Sequence, residues 1–423
     1  MNEQNTPKLK IAIIGFGSRG QMFGRLAASD SRVKIVAIAD PEISCREKAK
    51  NYVSEDCIFL SDSEFFKRGK VCDAVLICTQ DADHKVAAMK AMSLGYDLLL
   101  EKPVACTEKD CIEIRDEAKR LNRKVMLTHV LRYAPSFGYL KKLINDGALG
   151  KIVNIEQTEN IAYWHFALSY VRGPWRNTEN SSPTIIAKCC HDLDLIRWLM
   201  NKKCVGVSSM GNLYYFNAKN APEGSAPYCV DCDEQTRKNC LYNSYSIYPE
   251  RIKHAVVGGT ARLVGKDINK VIDEKSDPIA KCVFYSDNDA IDNQVVNMLF
   301  EDGATANLTM IAYSKDCYRY THVHGTKGDA FILGEDMKVH VNIYGGLSFV
   351  ADPATDETLN PLKISTSGGH GGGDSYLFDD FVDYLTKDSP SLTRTTIEDS
   401  IESHLMGFGA EKSRLLGGEP VKL

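Results

Sequence analysis

The segment AKCCHDLDLIRWL, residues 187–199, places a lysine, two cysteines, a histidine and two aspartates directly before apolar residues at helical spacing. His191 is the residue in this segment best suited to proton transfer, because an imidazole has an unperturbed pKa of about 6.5. If a helix begins at His191, the positive end of the helix dipole disfavours the imidazolium and keeps a neutral base available. Asp194 would then share a helix face with His191 and could orient its ring. The alternative is a histidine with satisfied hydrogen bonds in the protein core.

Lys102 is the second residue that is placed for chemistry. It follows the apolar run YDLLLE in the sequence Glu101-Lys102-Pro103. Open α/β sheets bind their ligands at the carboxyl ends of parallel strands, so a lysine at this point can face a bound substrate. Its ammonium group can stabilise charge on a reacting oxygen. A lysine and a proline after a strand also form ordinary exposed loops, and the residues alone leave both interpretations open.

A glycine-rich turn near the N-terminus indicates a cofactor for such chemistry. Gly15-Phe16-Gly17-Ser18-Arg19-Gly20 joins the apolar run LKIAII to a helix-like stretch and matches the pattern G-x-G-x-x-G. A second apolar run, VKIVAIAD, ends at Asp40, 20 residues after Gly20. Strand, glycine turn, helix and acid in this order predict a dinucleotide site in which the acid binds the ribose hydroxyls. A carboxylate repels a 2′-phosphate, so NAD is favoured over NADP, although Arg46 leaves the preference open.

The composition is that of a folded globular protein. The chain has 423 residues, with 43% hydrophobic and 25% charged, so we expect two domains. The net charge of −5 gives no basic surface for nucleic acid or membrane, and no apolar run approaches the roughly 20 residues of a membrane helix. The segment MNEQNTPKLK lacks the apolar stretch of a secretory signal. Most of the 14 cysteines stand singly within apolar segments, so we expect a cytoplasmic protein with a small-molecule partner.

Apolar runs alternate with helix-like stretches over the first third of the chain. CIFL, CDAVLICT, YDLLLE and KVMLTH are separated by segments such as DHKVAAMKAMSLG and KDCIEIRDEAKRLN. This alternation predicts a doubly wound parallel sheet that ends near residue 128. Further on, NQVVNMLFEDGATANLTMIAY alternates apolar and polar residues around Glu301-Asp302-Gly303, which predicts a β-hairpin. GTKGD, after RYTHVH, predicts a second turn.

Four segments together resemble the Gfo/Idh/MocA oxidoreductase family, which includes inositol and glucose-fructose type dehydrogenases. They are TQDADHKVAAMKAMSLGYDLLLEKPVA, LRYAPSFGYLKKLINDGALGKI, HDLDLIRWL and GGGDSYLFDDFVDYL. They lie far apart in the sequence, so the resemblance covers most of the chain. The resemblance implies an α/β N-terminal Rossmann domain over residues 1–128, with a doubly wound parallel sheet. It also implies a C-terminal α+β domain over residues 129–423, with a large, mostly antiparallel sheet. The active site would lie between the two domains, NAD would be the cofactor, and the chain would form a homodimer or homotetramer.

The resemblance also assigns roles to particular residues. Lys102 would contact both the cofactor ribose and the reacting oxygen, and His191 falls on the histidine of the family's Asp-x-x-x-His element. Arg132 is a candidate to face the pocket by its position near the start of the second domain. The residues expected to bind the cofactor are Gly15, Phe16, Gly17, Ser18, Arg19, Gly20, Asp40, Thr79, His84, Glu101 and Lys102. The residues expected to bind the substrate are Arg132, Trp164, Trp175, Lys188 and His191, and no residue is assigned to a metal.

Two features bear on the substrate. The segment ENIAYWHFALSYVRGPWRN, residues 159–177, mixes aromatic and cationic side chains. This surface suits a sugar ring plus an acidic group, through stacking on Trp164 and Trp175 and bidentate hydrogen bonds from the cations, although core packing or a subunit contact would use the same residues. The family's aspartate position is Ala187 in this chain, and Lys188 stands beside it. The substrate hydroxyl that an aspartate would bind must be held differently, or the substrate differs.

These observations predict an NAD(H)-dependent oxidoreductase. Hydride would move between nicotinamide C4 and a carbinol carbon of a sugar, polyol or inositol-like substrate, while His191 exchanges the hydroxyl proton and Lys102 stabilises the oxygen. Two alternatives stay open. One is a redox-neutral glycosidase or epimerase that holds NAD tightly and passes through a keto intermediate. The other is a nucleotide-binding regulator without turnover. This alternative stays open because Ala187 stands where the family has an aspartate.

A group of three cysteines stands apart from the rest. They are Cys229, Cys232 and Cys240, in YCVDCDEQTRKNC. Their spacing fits part of a zinc or iron–sulfur site, which requires a fourth ligand. His254 or Cys282 could approach from elsewhere in the chain. Three thiols without metal in a polar loop are the alternative.

The glycine-rich segment STSGGHGGGD, residues 365–374, precedes a helix-like stretch near the C-terminus. It is either a mobile loop that brings His370 or Asp374 to the substrate, or a plain connector, which is the slightly favoured interpretation.

Overall fold

The computed structural model describes residues 8–254, 260–263, 265–334, 336–366 and 370–423, with only the backbone described at 253, 254 and 261. The first part of the chain forms a six-stranded sheet with all neighbouring strands parallel, in the order β3-β2-β1-β4-β5-β6. Its strands are β1 (Leu9–Ile14), β2 (Val33–Ala39), β3 (Ile58–Phe59), β4 (Ala74–Ile77), β5 (Asp97–Leu100) and β6 (Val125–Leu127). Its helices are α1 (Ser18–Ser29), α2 (Ile43–Ala49), α3 (Asp62–Phe66), α4 (His84–Ser93) and α5 (Glu108–Leu121). This is the strand order of a Rossmann domain, as predicted.

The strands of this sheet are apolar along their length because helices cover both faces. All four residues of β4 are buried, and so are five of the six residues of β1. Parallel strands that are buried on both faces read as continuous apolar runs, which is why the sequence pattern identified them.

The second part of the chain forms a nine-stranded sheet in the order β14-β13-β12-β11-β7-β10-β9-β8-β15. Every described pairing in it is antiparallel except that of β7 with β10, so it is mostly antiparallel, as expected. Its strands are β7 (Ile152–Ala162), β8 (Cys204–Asn212), β9 (Asn293–Phe300), β10 (Thr305–Ser314), β11 (Tyr318–Gly325), β12 (Gly328–Leu333), β13 (Val339–Ile343), β14 (Ser348–Ala351) and β15 (Val421–Lys422).

Both predicted turns join neighbouring antiparallel strands of this sheet. Glu301-Asp302-Gly303 lies between β9 and β10, and GTKGD spans the turn between β11 and β12. Along β9 the side chains alternate between buried and exposed, because one face packs on helices and the other is open.

Nine helices lie in this second part of the described chain. They are α6 (Pro135–Asn145), α7 (Tyr163–Phe166), α8 (Thr184–Ala187), α9 (Cys190–Met200), α10 (Glu234–Asn239), α11 (Ser244–His254), α12 (Ile268–Asp273), α13 (Gly373–Thr386) and α14 (Ile397–Leu415). None of the helices among the described residues has the length and apolar character required to cross a bilayer.

The last helices return to the first sheet. Leu377, Phe378 and Phe381 of α13 are buried in the same apolar cluster as Ile11 and Ile13 of β1. The core of the N-terminal domain is therefore completed by residues from the end of the chain.

Candidate active site

The two predicted catalytic residues meet where the carboxyl end of β5 faces the start of α9. The amine of Lys102 donates a hydrogen bond to the carbonyl oxygen of Ala187 at 3.0 Å. Ala187 ends α8, and His191 lies in the first turn of α9, four residues later. The charge of Lys102 reaches His191, where it helps to lower the pKa of the ring. The structure thus brings the Lys102 amine to the end of α8, four residues before His191.

His191 is held as a neutral imidazole. It is 6% exposed, and its Nδ1 atom is buried without a hydrogen-bond partner. Burial, followed by the charges of Lys102, His129 and His370, holds its pKa well below the usual 6.5. A neutral ring at neutral pH is the form that accepts a proton from a hydroxyl group.

His191 belongs to a row of four imidazoles. Its ring centre lies 5.8 Å from that of His370 and 5.7 Å from that of His129, which lies 5.5 Å from that of His404. Both ring nitrogens of His129 are buried without a partner. The amide of Val104 donates to His404 at 3.0 Å, and burial lowers the pKa of His404 to about 3. No pattern in the sequence marks His129 or His404 as a residue of the site.

Asp194 does not orient His191, so that expectation is wrong. Its carboxylate accepts two hydrogen bonds from the guanidinium of Arg132, at 2.7 and 2.6 Å. Arg132 is only 3% exposed, and its guanidinium lies 5.6 Å from the ring centre of Trp198. The substrate-binding role of Arg132 stays a prediction, and two of its guanidinium nitrogens, Nε and Nη2, already donate to Asp194.

We predict that Asp194→Ala lowers the free energy of unfolding by about 3–5 kcal/mol, because the buried Arg132 charge would lose its partner. Urea unfolding of the purified variant measures this. The double replacement Arg132→Met with Asp194→Leu removes both charges and should recover most of the loss. Equal stability of Asp194→Ala and the unaltered chain would contradict the assignment.

Lys188 is likewise paired inside the protein and does not point freely at a substrate. Its amine lies 2.9 Å from the carboxylate of Glu159 on β7, whose other oxygen lies 2.9 Å from Arg319 on β11. Asp192 accepts hydrogen bonds from Arg319 at 2.9 Å and from Gln157 at 2.7 Å. These two carboxylates and two cations form one buried network beside His191. Glu159 and Arg319 were missed because they read as ordinary strand residues.

The predicted tryptophans lie in the segment that follows β7. The indole N–H of Trp175 donates to Asp81 at 3.0 Å, across the domain boundary. Asp81 follows β4, is 7% exposed, and has its pKa raised by burial. Trp164 is half-buried, with the guanidinium of Arg251 4.6 Å from its ring centre. Burial and the charges of Lys188 and Lys102 lower the pKa of neighbouring His165 to about 3.

The glycine turn has the geometry that a nucleotide loop requires. Gly15 has φ +83°, and a Cβ at this position would lie 2.5 Å from the carbonyl oxygen of Cys78. A Cβ on Gly20 would lie 2.0 Å from the carbonyl oxygen of Gly15, so α1 packs directly on the turn. Gly17 precedes α1 and has open space around it, which leaves room for a diphosphate.

The other residues of the loop fit the cofactor in different ways. The ring of Phe16 is fully buried, 5.4 Å from that of Tyr52, so only its backbone can face a ligand. The amide of Phe16 donates to Asp40 at 2.5 Å, which fixes the carboxylate at the end of β2. Ser18 begins α1. The hydroxyl of Thr79 is buried without a hydrogen-bond partner, so it can form a hydrogen bond with a ligand.

Three residues expected to bind the cofactor have side chains engaged elsewhere. Arg19 contacts the carboxylates of Glu101 and Asp374. Glu101 also accepts a hydrogen bond from the hydroxyl of Thr128 at 2.8 Å. His84 is fully buried, with its ring nitrogens 2.7 Å and 3.4 Å from the carbonyl oxygens of Pro103 and Thr79. These side chains hold the loops in place, and the direct cofactor contact expected of His84 stays a prediction.

The glycine-rich segment before α13 reaches the site, contrary to the slightly favoured interpretation as a connector. His370 lies 2.9 Å from Asp374, which accepts a hydrogen bond from Arg19 at 2.7 Å. The His370 ring faces His191 on the other side. This chain of contacts links the nucleotide loop to the predicted base.

Two family models match the chain. One is described as oxidoreductase family, NAD-binding Rossmann fold, and matches residues 9–129. The other is described as oxidoreductase family, C-terminal alpha/beta domain, and matches residues 141–423. The chain therefore belongs to the Gfo/Idh/MocA oxidoreductase family, and its first domain is an NAD-binding Rossmann domain.

Several relatives are similar to this chain. YteT of Bacillus subtilis (strain 168), named as an oxidoreductase, is 24% identical over 331 residues, which span 75% of this chain and 73% of YteT. The 2,7-anhydro-N-acetylneuraminate hydratase of Mediterraneibacter gnavus is 28% identical over 190 residues, 45% of this chain and 48% of the hydratase. An inositol dehydrogenase homologue from Azotobacter vinelandii, crystallised with NADH and myo-inositol, has a TM-score of 0.68 at 16% identity, covering 99% and 98% of the two chains. At 16% identity, the similarity to this structure supports the fold alone.

Proposed function

We propose that this protein is an NAD(H)-dependent dehydrogenase that acts on a CH–OH group of a sugar, polyol or inositol-like substrate. The observation that carries the proposal is the hydrogen bond from the Lys102 amine, just after β5 of the nucleotide-binding sheet, to the carbonyl oxygen of Ala187, four residues before His191. A base and a cationic donor are the two groups that alcohol oxidation requires.

His191 removes the hydroxyl proton from the substrate, and Lys102 donates a hydrogen bond to the same oxygen as charge develops on it. The carbonyl of Ala187 orients the Lys102 amine. Gly15, Gly17 and Asp40 would hold the cofactor diphosphate and ribose. The nicotinamide of a bound NAD would supply the hydride acceptor for the oxidation.

Two cations near the site are already paired and do not favour an acidic substrate. The nearby cations Lys188 and Arg319 are balanced by Glu159 and Asp192, so an acidic substrate finds no free counter-charge in them. Trp164 supplies a half-buried aromatic surface suited to the apolar face of a sugar ring.

A panel of sugars, polyols and inositols tests the proposal. The purified protein is mixed with NAD and each compound, and the absorbance of reduced nicotinamide is followed. We expect turnover with at least one neutral polyhydroxy compound and none with a matched carboxylic acid. Preferential oxidation of simple hydroxy acids would contradict the substrate class.

A second candidate is a redox-neutral reaction with tightly bound cofactor. It is favoured by the similarity to the hydratase and by His370, a second imidazole that faces His191. Purified protein would then carry NAD and convert a glycoside or sugar epimer without added cofactor. Absence of turnover in both assays would favour a nucleotide-binding regulator.

Asp40 should determine which nicotinamide dinucleotide binds. We predict that Asp40→Ser raises the ratio of NADPH to NADH affinity by about tenfold or more, because the carboxylate that repels the 2′-phosphate is removed. Titration of cofactor fluorescence measures both dissociation constants without a substrate. Glu42→Gln removes an exposed charge two residues further on and should leave the ratio unchanged. An unchanged ratio in Asp40→Ser would remove Asp40 from the ribose site.

The assembly and location of the protein are also proposals. Val295 and Leu299 of β9 are 45% and 48% exposed on the open face of the large sheet. Covering these side chains with another copy of the chain would favour a homodimer or homotetramer. All 14 cysteines are free, which fits the reducing cytoplasm. Light scattering on a sizing column measures the assembly.

A further inference from the structure

Four cysteines from separate parts of the chain line one small cavity in the segment between β8 and β9. They are Cys229, Cys232, Cys240 and Cys282. The amide of Cys282 donates to the carbonyl of Pro227 at 2.9 Å, and Tyr228 forms an antiparallel bridge with Lys281. This pairing brings Cys282, which lies 50 residues after Cys232 in the sequence, close to the C-x-x-C pair.

The surroundings of the thiols are positively charged. Arg172 is 1% exposed, and its guanidinium donates to the Sγ atom of Cys229 at 3.6 Å. Its other partners are the carbonyl oxygens of Lys281 and Tyr242 and the hydroxyl of Tyr248. Within the described part of the chain, Arg172 thus has no carboxylate partner. A buried cation without a carboxylate requires another source of negative charge.

We propose that Cys229, Cys232, Cys240 and Cys282 bind one zinc ion as four thiolates. Four thiolates around Zn²⁺ carry a net charge of about −2, which Arg172 and the neighbouring Arg237 would balance. The thiol protons are released to solvent when the metal binds. The amide of Ala226 donates to the Sγ atom of Cys232 at 3.3 Å, as backbone amides do toward metal-bound sulfur.

The sulfur atoms require a small rearrangement to close on a metal. Tetrahedral Zn–S bonds of about 2.3 Å place sulfur atoms roughly 3.8 Å apart, whereas no three of these four described thiols lie within 4.8 Å of one another. Cys232 follows a short helical turn and Cys240 follows α10, and both are partly exposed. These two side chains are the ones that would move toward Cys229 and Cys282 when the metal binds.

Another set of metal-binding side chains is less suitable. Glu156, His322 and His324 have ligand atoms within 4.8 Å of one another on the open face of the large sheet. Both ring nitrogens of His322 already contact protein groups, the hydroxyl of Tyr320 and the carboxylate of Asp329, each at 2.9 Å. His322 would have to break one of these contacts before it could bind an ion.

The zinc would stabilise the wall of the active site. Arg172 lies next to the cysteine site, and three residues later Trp175 contacts Asp81 at the domain boundary. Metal bound to the four cysteines therefore fixes the segment that carries Trp175. This role is structural and does not depend on which substrate the protein uses.

Metal analysis of the full-length protein, purified without chelator or affinity metal, tests the proposal. We expect about one zinc per chain, with a several-fold loss in Cys232→Ser and Cys282→Ser. Cys57→Ser changes a partly exposed cysteine of the first domain, and His324→Ala changes the competing set. Both control variants should retain the full zinc content.

Cobalt exchange into the unaltered protein gives a second measurement that requires no cysteine variant to fold. Tetrahedral thiolate ligation predicts thiolate-to-cobalt charge-transfer absorption and intense visible d–d bands. Zinc content near zero together with no cobalt spectrum would overturn the proposal. Retention of zinc by Cys282→Ser, or iron with iron–sulfur absorption in place of zinc, would also overturn it.

Discussion

Replacing Lys102 with methionine should lower kcat by about 10²- to 10³-fold while NADH still binds. The amine is the only group proposed to donate to the substrate oxygen as charge develops there, and losing one such donor costs this much in other enzymes. Methionine keeps the length and the apolar stem of lysine but removes the charge and the donor. Turnover with the best substrate from the panel measures kcat, and fluorescence titration measures the affinity for NADH.

The affinity for NADH should weaken by no more than about tenfold, since a single hydrogen bond to the ribose is lost. Lys70→Met is a matched control, because the Lys70 amine also donates to a backbone carbonyl, that of Gly95 at 2.6 Å, but on the surface of the same domain. The control should keep full turnover. Full turnover in Lys102→Met as well would remove this residue from the chemistry.

Replacing His191 with asparagine should lower kcat by about 10²- to 10⁴-fold, the usual contribution of a general base. The pH dependence of the unaltered enzyme gives a second readout. Because burial and the charge of Lys102 lower the pKa of His191, the ring stays neutral at pH 6.5 and somewhat below. The apparent pKa of the acidic limb in the pH profile of kcat/KM should therefore lie below 6.5.

The asparagine variant should lose this limb along with most of its activity. His340→Asn serves as the control, since His340 stacks on Phe331 on the large sheet, with ring centres 4.6 Å apart. The His340→Asn variant should leave both kcat and the pH profile of kcat/KM unchanged. An acidic limb above pH 6.5 in the unaltered enzyme, or the same limb in His191→Asn, would assign the base to another group.

The parts of the fold that rest on local patterns were predictable. The glycine turn between a buried strand and a helix, followed by Asp40 after the next strand, fixes the nucleotide loop because each feature is a short-range constraint on the backbone. The hairpin at Glu301-Asp302-Gly303 followed from alternation on both sides of a turn. The two catalytic candidates came from residue type and family resemblance, and the structure places them together.

The partners of the site residues were not predictable in the same way. Arg132 and Asp194 are 62 positions apart, and Arg319 and Asp192 are 127 positions apart. Such pairs depend on strand register and on the direction in which α9 enters the core, which local periodicity does not determine. The sequence therefore singles out Arg132 but does not identify Asp194 as its partner.

The contribution of α13 to the first core has a consequence for biosynthesis. Leu377, Phe378 and Phe381 leave the ribosome long after β1, whose Ile11 and Ile13 they cover. Domains generally fold as units once their residues have been synthesised. The nucleotide-binding half must therefore keep part of its apolar surface uncovered until α13 has been synthesised, and in that interval the nascent chain is prone to aggregation.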